Sequence, residues 1–314
     1  AAWQVPGAAA PPDADEHLDD GVVKVGPIVM NAQGAQRLRA ADQVRFLYDM
    51  ETGFYRHVIA AMRSWGVKCP LITSNWQGSG NTTRLVLQAS TLGEIVDRHT
   101  YFSRPATMLD TIGRGLPMIG FDRQAERAFS VSEWNHGSDG RYMAETVPLM
   151  ATVGAIQGWD ALFQFCATSP TWPSDLGGIT PGHYALYPIA AMIFRRGDVA
   201  TGPVVFERRR DPVYQFGDQP ETRSETTDPA ALRFRDNAAD NTGVARVPSE
   251  VLAIGRVQNA YVDAPTPDLF DSALLERCWD RTNGVVASAH GDVQWHYTNA
   301  WVLLNSARTQ GAFG

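Results

Sequence analysis

The residues that could carry out chemistry lie where apolar segments of this sequence end. Glu133 lies within Ser132–Asn135, next to the indole of Trp134, at the end of an apolar run of strand length. A carboxylate at such a place is costly to remove from water unless it has partners or a catalytic task. Two interpretations of this segment alone stay open: a reactive acid, or a solvated glutamate that caps the next turn.

Polar and aromatic residues also gather at the ends of the other predicted strands. They are Asn75 and Trp76, then Asp97, His99 and Tyr101, then Trp134 and Asn135 beside Glu133, and finally Trp159 and Asp160. Flat indole and phenol rings suit the C–H face of a pyranose, while amide, imidazole and carboxylate groups bind its hydroxyls. The set predicts a carbohydrate-binding site, with core packing open as the alternative for each aromatic ring alone.

The elements that would position these residues follow from hydrophobic periodicity. Apolar residues recur at three- and four-residue spacing from Gln43 until Gly66, which predicts a long amphipathic helix. Apolar runs of strand length follow at 67–73, 94–102 and 128–136 and in WDALFQFC. Helical patterns occur in TTRLVLQAS, GRYMAETVPLMATVGAIQG and GHYALYPIAAMIFRR. Strands and helices that alternate in this way predict an α/β fold with a parallel sheet.

The polar strand ends favour a (β/α)8 TIM-type barrel, whose active site gathers at the carboxyl ends of its strands. About four C-terminal βα units are recognisable, half of the eight strands that close such a barrel. A doubly wound sheet is the alternative, although no Gly-rich phosphate turn supports it. We expect an extended, linker-like lead-in over 1–40, a partial barrel carrying the site over 41–200, and a small β-rich domain over 201–314.

Composition excludes several classes of partner. With 27 basic and 34 acidic residues the net charge is -7, and the absence of a Lys/Arg-rich run argues against nucleic acid. No apolar stretch approaches the roughly 20 residues of a membrane helix, and the first thirty residues lack a signal-peptide pattern. We expect a soluble chain, with a cytoplasmic or a secreted location both open.

The cysteines and acidic residues do not indicate a metal or another cofactor. Cys69, Cys166 and Cys278 are widely separated and form no CxxC pair, which argues against a disulfide framework or a structural zinc site. We expect these three to be buried free thiols. The acidic residues are not clustered at the spacing of a calcium or magnesium loop, so no cofactor is expected.

In order along the chain, several segments resemble the retaining clan-A glycoside hydrolases, the β-galactosidase and cellulase-like barrels. The matching segments, within roughly residues 40–200, are FLYDMETGFYRHVIAAMRSWGVKCPLITSNW, DRHTY, VSEWN, RYMAE, AIQGWDALFQF and AAMIFRRGDV. The resemblance implies that Glu133, at the seventh barrel strand, is the catalytic nucleophile, and that His99 and Tyr101 lie at the sixth. It also implies a β-linked hexoside as substrate, galactoside before glucoside.

The sequence departs from that family at the acid/base glutamate, which there follows an asparagine at the end of the fourth strand. No Asn-Glu pair occurs in this sequence, and the first four strands are not recognisable. The interpretation we favour is a homo-oligomer in which another chain covers the open barrel edge and supplies a carboxylate. The alternatives are a local acid, namely Asp97, Glu145 or Asp160, and a carbohydrate-binding or structural remnant without turnover.

Overall fold

The computed structural model describes residues 16, 19–22, 34–75, 83–102, 105–136, 141–165, 181–210, 247–264 and 266–314. The helices are α1 (Gly34–Ser64), α2 (Thr83–Ser90), α3 (Thr146–Gln157), α4 (Pro181–Phe194), α5 (Val251–Ile254) and α6 (Ser272–Cys278). Shorter 3₁₀ turns span Leu116–Asp122, Met143–Glu145 and Tyr297–Asn299. The periodic run that begins at Gln43 therefore lies in a helix that starts nine residues earlier.

The strands form three sheets. The first is parallel, in the order β1 (Ile95–Phe102), β2 (Ala128–His136), β3 (Ala161–Gln164). The second places β4 (Val204–Arg210) between β5 (Arg256–Tyr261), which is parallel to it, and β6 (Leu269–Phe270), which is antiparallel. The third is an antiparallel meander of β7 (Trp279–Asp280), β8 (Val285–Ala287), β9 (Val293–His296), β10 (Trp301–Asn305) and β11 (Gln310–Phe313).

The predicted strands at 94–102 and 128–136 are confirmed, but the one at 67–73 is reduced to a single parallel bridge between Ile72 and Ile95. Pro70 interrupts that segment, and a proline has no N–H to donate to a ladder. Cys69, in the same segment, is exposed, so the expectation of a buried thiol is wrong there. Cys278 is buried and free as expected, while Cys166 lies outside the described residues.

Among the described residues the parallel sheet is open, with Ile72 beside β1 at one edge and β3 at the other. Its strands follow one another in chain order, and α3 lies between β2 and β3, whereas the described residues between β1 and β2 contain only the 3₁₀ turn Leu116–Asp122. The partial (β/α)8 barrel stays a prediction, because three strands in one open sheet do not form a closed barrel.

The core packs around α3, in which every residue from Thr146 to Gln157 is buried. A helix that is apolar on all sides belongs inside a protein. The same apolar cluster contains side chains from the first sheet, such as Phe129, and from the last one, such as Trp295. The Trp295 indole also donates a hydrogen bond of 2.8 Å to the Leu109 carbonyl. The predicted boundary at residue 200 therefore crosses a continuous core.

Large apolar side chains are exposed on the outermost helices. On α1 they are Phe46, Met50 and Phe54, four residues apart, and on α4 they are Tyr184, Ile189 and Met192. A stripe of this kind is typical of a helix that packs against a further element. The expected homo-oligomer stays a prediction. In the described part of the chain, no helix combines the length and the apolar character needed to cross a membrane.

Candidate functional site

The candidate site lies on the face of the first sheet that points away from α3. Phe129, Val131 and Trp134 of β2 belong to the core, so the residues that alternate with them face the other way. On β1 the residues on this second face are Asp97, His99 and Tyr101, at two-residue spacing, and their side chains all contact side chains of β2. Both strands run parallel, so their carboxyl ends lie at the same edge.

A β-bulge brings Glu133 onto this face. Arg98 pairs with Val131 and His99 pairs with Glu133, so β2 carries one extra residue, Ser132, between the two pairs. In a regular strand Ser130 and Glu133, three positions apart, would point to opposite faces. The bulge removes that conflict. Bulges re-aim side chains and occur often beside active sites.

Glu133 is held at one of its two oxygens. The Tyr101 hydroxyl donates to Oε2 at 2.6 Å, and Nδ1 of His99 lies 3.1 Å from the same oxygen. The side chains of Glu133 and His99 remain 31% and 24% exposed. A phenol and an imidazole thus contact the same carboxylate oxygen. The three residues predicted to be catalytic, Glu133, His99 and Tyr101, are therefore together in the structure, since Glu133 contacts both of the others and all three are partly exposed.

A second set of contacts supports His99 from behind. Its Nε2 lies 2.9 Å from the hydroxyl of Ser132, which itself donates to Oδ2 of Asp97 at 2.5 Å. The Ser130 hydroxyl donates to the other oxygen of Asp97. Asp97, predicted to bind substrate, is only 1% exposed, so the structure places it beneath the site and in contact with serines.

Asn135 is buried next to the site and fixes the segment that follows β3. Its amide donates to the Phe165 carbonyl, and its Oδ1 accepts from Gln164 at 3.1 Å. The Phe165 ring meets the Tyr101 ring edge to face, with centroids 6.3 Å apart. Asn135 thus positions Phe165 against Tyr101, and the structure brings it to the site as a support with no exposed surface of its own.

The remaining predicted residues lie elsewhere. Trp134 and Trp159 are in the core, at 3% and 5% exposure. Asp160 precedes β3 and accepts from the Phe129 backbone N–H at 2.8 Å, so it lies at the amino edge of the sheet, opposite Glu133. Asn75 is exposed just beyond the bridge at Ile72, and Trp76 lies outside the described residues. A strand's first residues and its last residues reach opposite edges, which separates Asp160 from the site.

Glu145 forms hydrogen bonds away from the site as well. It lies in the turn before α3, where its carboxylate accepts from the Thr107 hydroxyl at 2.7 Å and from the Met108 backbone N–H at 2.6 Å. Burial raises the pKa of Glu145 above its ordinary value, although these two hydrogen bonds oppose the shift. Each local acid considered from the sequence is therefore bonded to groups other than Glu133.

The residues that sequence reasoning missed are Ser130 and Ser132. A signal was present, since two serines two positions apart precede Glu133 on a strand predicted to pair with Asp97 and His99. Only the pairing register of β1 with β2 shows that these serines contact Asp97 and His99. Among the described residues, no group of three or more His, Cys, Asp or Glu side chains is arranged to hold a metal ion.

Comparison of this chain with protein-family models, with curated proteins and with solved structures found no match in any of the three. The chemistry of the site must therefore be argued from its geometry.

Proposed function

We propose that this chain is a retaining glycoside hydrolase that acts on β-linked hexosides, with Glu133 as its nucleophile. The observation that supports this most directly is the partly exposed Glu133 carboxylate, contacted at Oε2 by Tyr101 and His99. Both contacts are made by Oε2, so the proposal assigns the attack on the anomeric carbon to the other oxygen, Oε1. The substrate class comes from the sequence resemblance.

In the proposed reaction, Oε1 of Glu133 forms a bond to the anomeric carbon while the glycosidic C–O bond breaks. The bonding electron pair leaves with the aglycone oxygen, which takes a proton from an acid. Water then attacks the same carbon, gives up a proton, and releases Glu133 as a carboxylate. Because Asp97, Glu145 and Asp160 are bonded elsewhere, the proposal assigns the acid to none of them.

The test uses substrates that need no acid. The substrates are aryl β-galactosides and β-glucosides with a dinitrophenolate leaving group. Dinitrophenolate leaves without being protonated, so the nucleophile alone should support turnover. We expect wild-type protein to hydrolyse at least one of them and Glu133→Gln to lose about a thousandfold or more in kcat. Glu276→Gln is the matched control, since that exposed glutamate pairs with Arg281, far from the site in sequence.

A variant with a smaller side chain at position 133 tests whether Glu133 is the nucleophile. In Glu133→Ala, added azide should restore cleavage and give a glycosyl azide, because the anion occupies the place of the missing carboxylate. Folded wild-type protein that cleaves no aryl glycoside, or a Glu133→Gln variant as active as Glu276→Gln, would overturn the proposal.

A second candidate is a carbohydrate-binding protein without turnover. One observation favours it: the local carboxylates considered as the acid all form other hydrogen bonds. Calorimetry with galactose, glucose and short β-linked oligosaccharides separates the two candidates. Binding by both wild-type protein and Glu133→Gln, with no hydrolysis of aryl glycosides, supports the second candidate.

A further inference from the structure

Asn135 is a fully buried polar residue near the carboxyl end of β2, next to the candidate site. Its Oδ1 accepts hydrogen bonds from the His136 backbone N–H at 2.8 Å and from the Gln164 amide at 3.1 Å. A backbone N–H can only donate, so the oxygen of the Asn135 amide must face His136. The amide nitrogen faces the other way and donates to the Phe165 carbonyl. These two backbone partners fix the orientation of the amide.

Phe165 takes its position from β2. The strand β3 ends one residue earlier, at Gln164, and the Phe165 N–H donates to the Trp134 carbonyl at 3.1 Å. The Phe165 carbonyl accepts from the Asn135 side chain. An asparagine suits this place because its short side chain offers a donor to Phe165 and an acceptor to His136 at once. An aspartate of the same size would place an acceptor oxygen against the Phe165 carbonyl.

The Phe165 ring in turn restrains Tyr101. The two rings meet edge to face, with centroids 6.3 Å apart and planes at 84°. Aromatic pairs favour this arrangement because the positive edge of one ring meets the negative face of the other. The Tyr101 hydroxyl donates to Oε2 of Glu133 at 2.6 Å. The Phe165 ring therefore limits the positions that this hydroxyl, and with it the Glu133 carboxylate, can take.

We infer that Asn135 is a positioning residue for the Glu133 carboxylate, which it holds through Phe165 and Tyr101. This inference rests on the proposed function, in which Oε1 of Glu133 attacks the anomeric carbon. Asn135 is 0% exposed, so it cannot contact a substrate and can act only through its neighbours. The contacts connect all three strands of the parallel sheet, with Tyr101 on β1, Asn135 on β2 and Phe165 directly after β3.

The competing interpretation is that Asn135 only fastens the chain after β3, and that the contact between the Phe165 and Tyr101 rings has no effect on Glu133. Both interpretations predict a loss of stability when Asn135 is replaced, because buried hydrogen bonds are lost in either case. Stability therefore does not separate them. A double-mutant cycle does, because two residues that act on one group through the same contacts lose that effect only once.

The cycle combines Asn135→Asp with Tyr101→Phe and uses the dinitrophenyl glycosides as substrates. We expect Asn135→Asp to lower kcat about tenfold and to change KM by less than about twofold, because no contact with substrate is lost. Added to Tyr101→Phe, the same change should cause little further loss. The matched control is Asn259→Asp, which should leave kcat unchanged. Asn259 is a buried asparagine of β5 whose amide likewise donates to a backbone carbonyl, that of Phe121.

Phe165→Leu provides the same test if Asn135→Asp does not fold. It keeps an apolar side chain but removes the ring edge that meets Tyr101, so kcat should fall to a similar degree and, again, little further in the Tyr101→Phe background. Circular dichroism checks that each variant is folded. Losses that multiply in the double variants, or a folded Asn135→Asp with the kcat of Asn259→Asp, would overturn the inference.

An NMR measurement on the full chain separates this inference from the proposed function. With protonated Phe and Tyr rings in a deuterated protein, we expect a nuclear Overhauser effect between Phe165 and Tyr101, whose signals are assigned by their loss in Phe165→Leu and Tyr101→Phe. The effect should disappear in Asn135→Asp and persist in Asn259→Asp. If it does so but the wild-type protein cleaves no glycoside, the proposed function fails and the placement of Tyr101 by Asn135 stands. If turnover is present and the effect persists in Asn135→Asp, the glycosidase stands and the role of Asn135 fails.

Discussion

At the scale of single residues, two glutamates of this protein have opposite surroundings. Glu133 is partly exposed, and its Oε2 accepts a hydrogen bond from the Tyr101 hydroxyl and lies 3.1 Å from Nδ1 of His99. Glu145 is 8% exposed and receives one hydroxyl and one backbone N–H. The surroundings of Glu133 leave its carboxylate accessible to a ligand, as a catalytic carboxylate requires. Those of Glu145 tie the 107–108 segment to the start of α3.

The raised pKa of Glu145 predicts a dependence of stability on pH. The folded protein binds this proton more tightly than the unfolded chain, whose glutamate titrates near 4.5. As pH rises from that value through the folded pKa, the free energy of unfolding falls, because the ionised form is penalised by burial. Glu145→Gln removes this contribution, and urea unfolding from acidic to neutral pH measures it.

A glutamine at 145 can keep both hydrogen bonds, since its carbonyl accepts from Met108 while its amide donates to the Thr107 oxygen. The variant should therefore fold and should gain stability relative to wild type as pH rises. Parallel stability curves for the two proteins would contradict the prediction.

At the scale of elements, the glycines that end helices show which constraints are local and which are tertiary. Gly158 ends α3 at φ 62°, a left-handed conformation that costs other residues roughly 1–2 kcal/mol. A Cβ at Gly158 would also lie 2.9 Å from the Thr201 methyl. Gly197, beyond α4, has φ 70° with open space around it.

We expect Gly158→Ala to lower the free energy of unfolding by more than Gly197→Ala, which should lose about 1 kcal/mol from backbone strain alone. Guanidinium unfolding of both variants measures the difference. Thr201→Ser in the Gly158→Ala background removes the crowded methyl and should bring the two losses together. If the two single variants lose the same free energy of unfolding, the Thr201 side chain can move aside without a measurable loss of stability.

At the scale of the whole molecule, Gln157 joins elements that are distant in sequence. From the end of α3 its amide donates to the carbonyls of Leu252 and Gly255, at 2.8 and 2.6 Å, and its Oε1 accepts from the Val257 N–H at 2.9 Å. The side chain is fully buried. Three backbone groups of the α5–β5 segment thus depend on one residue.

Gln157→Leu should therefore lower the free energy of unfolding by about 3 kcal/mol or more, since each unsatisfied buried group costs roughly 1–3 kcal/mol. Chemical denaturation followed by tryptophan fluorescence and circular dichroism measures it. The matched control is Gln88→Leu, because Gln88 is buried and its Oε1 has no partner among the described residues. A loss as large in Gln88→Leu as in Gln157→Leu would contradict the argument.

The sequence by itself determined most of the local structure and the identity of the candidate site residues. Periodicity located α1, α3 and α4 and the strands β1 and β2, because the side-chain patterns of helices and strands depend on residues near in sequence. Strand ends pointed to Glu133, His99 and Tyr101, which the structure brings into contact.

The tertiary structure decided what depends on register. Residues 67–73 were apolar enough for a strand, yet Pro70 left a single bridge, and Asp160 proved to begin a strand at the edge opposite Glu133. The bulge at Ser132 has no local signature, because it exists only in the pairing of β2 with β1.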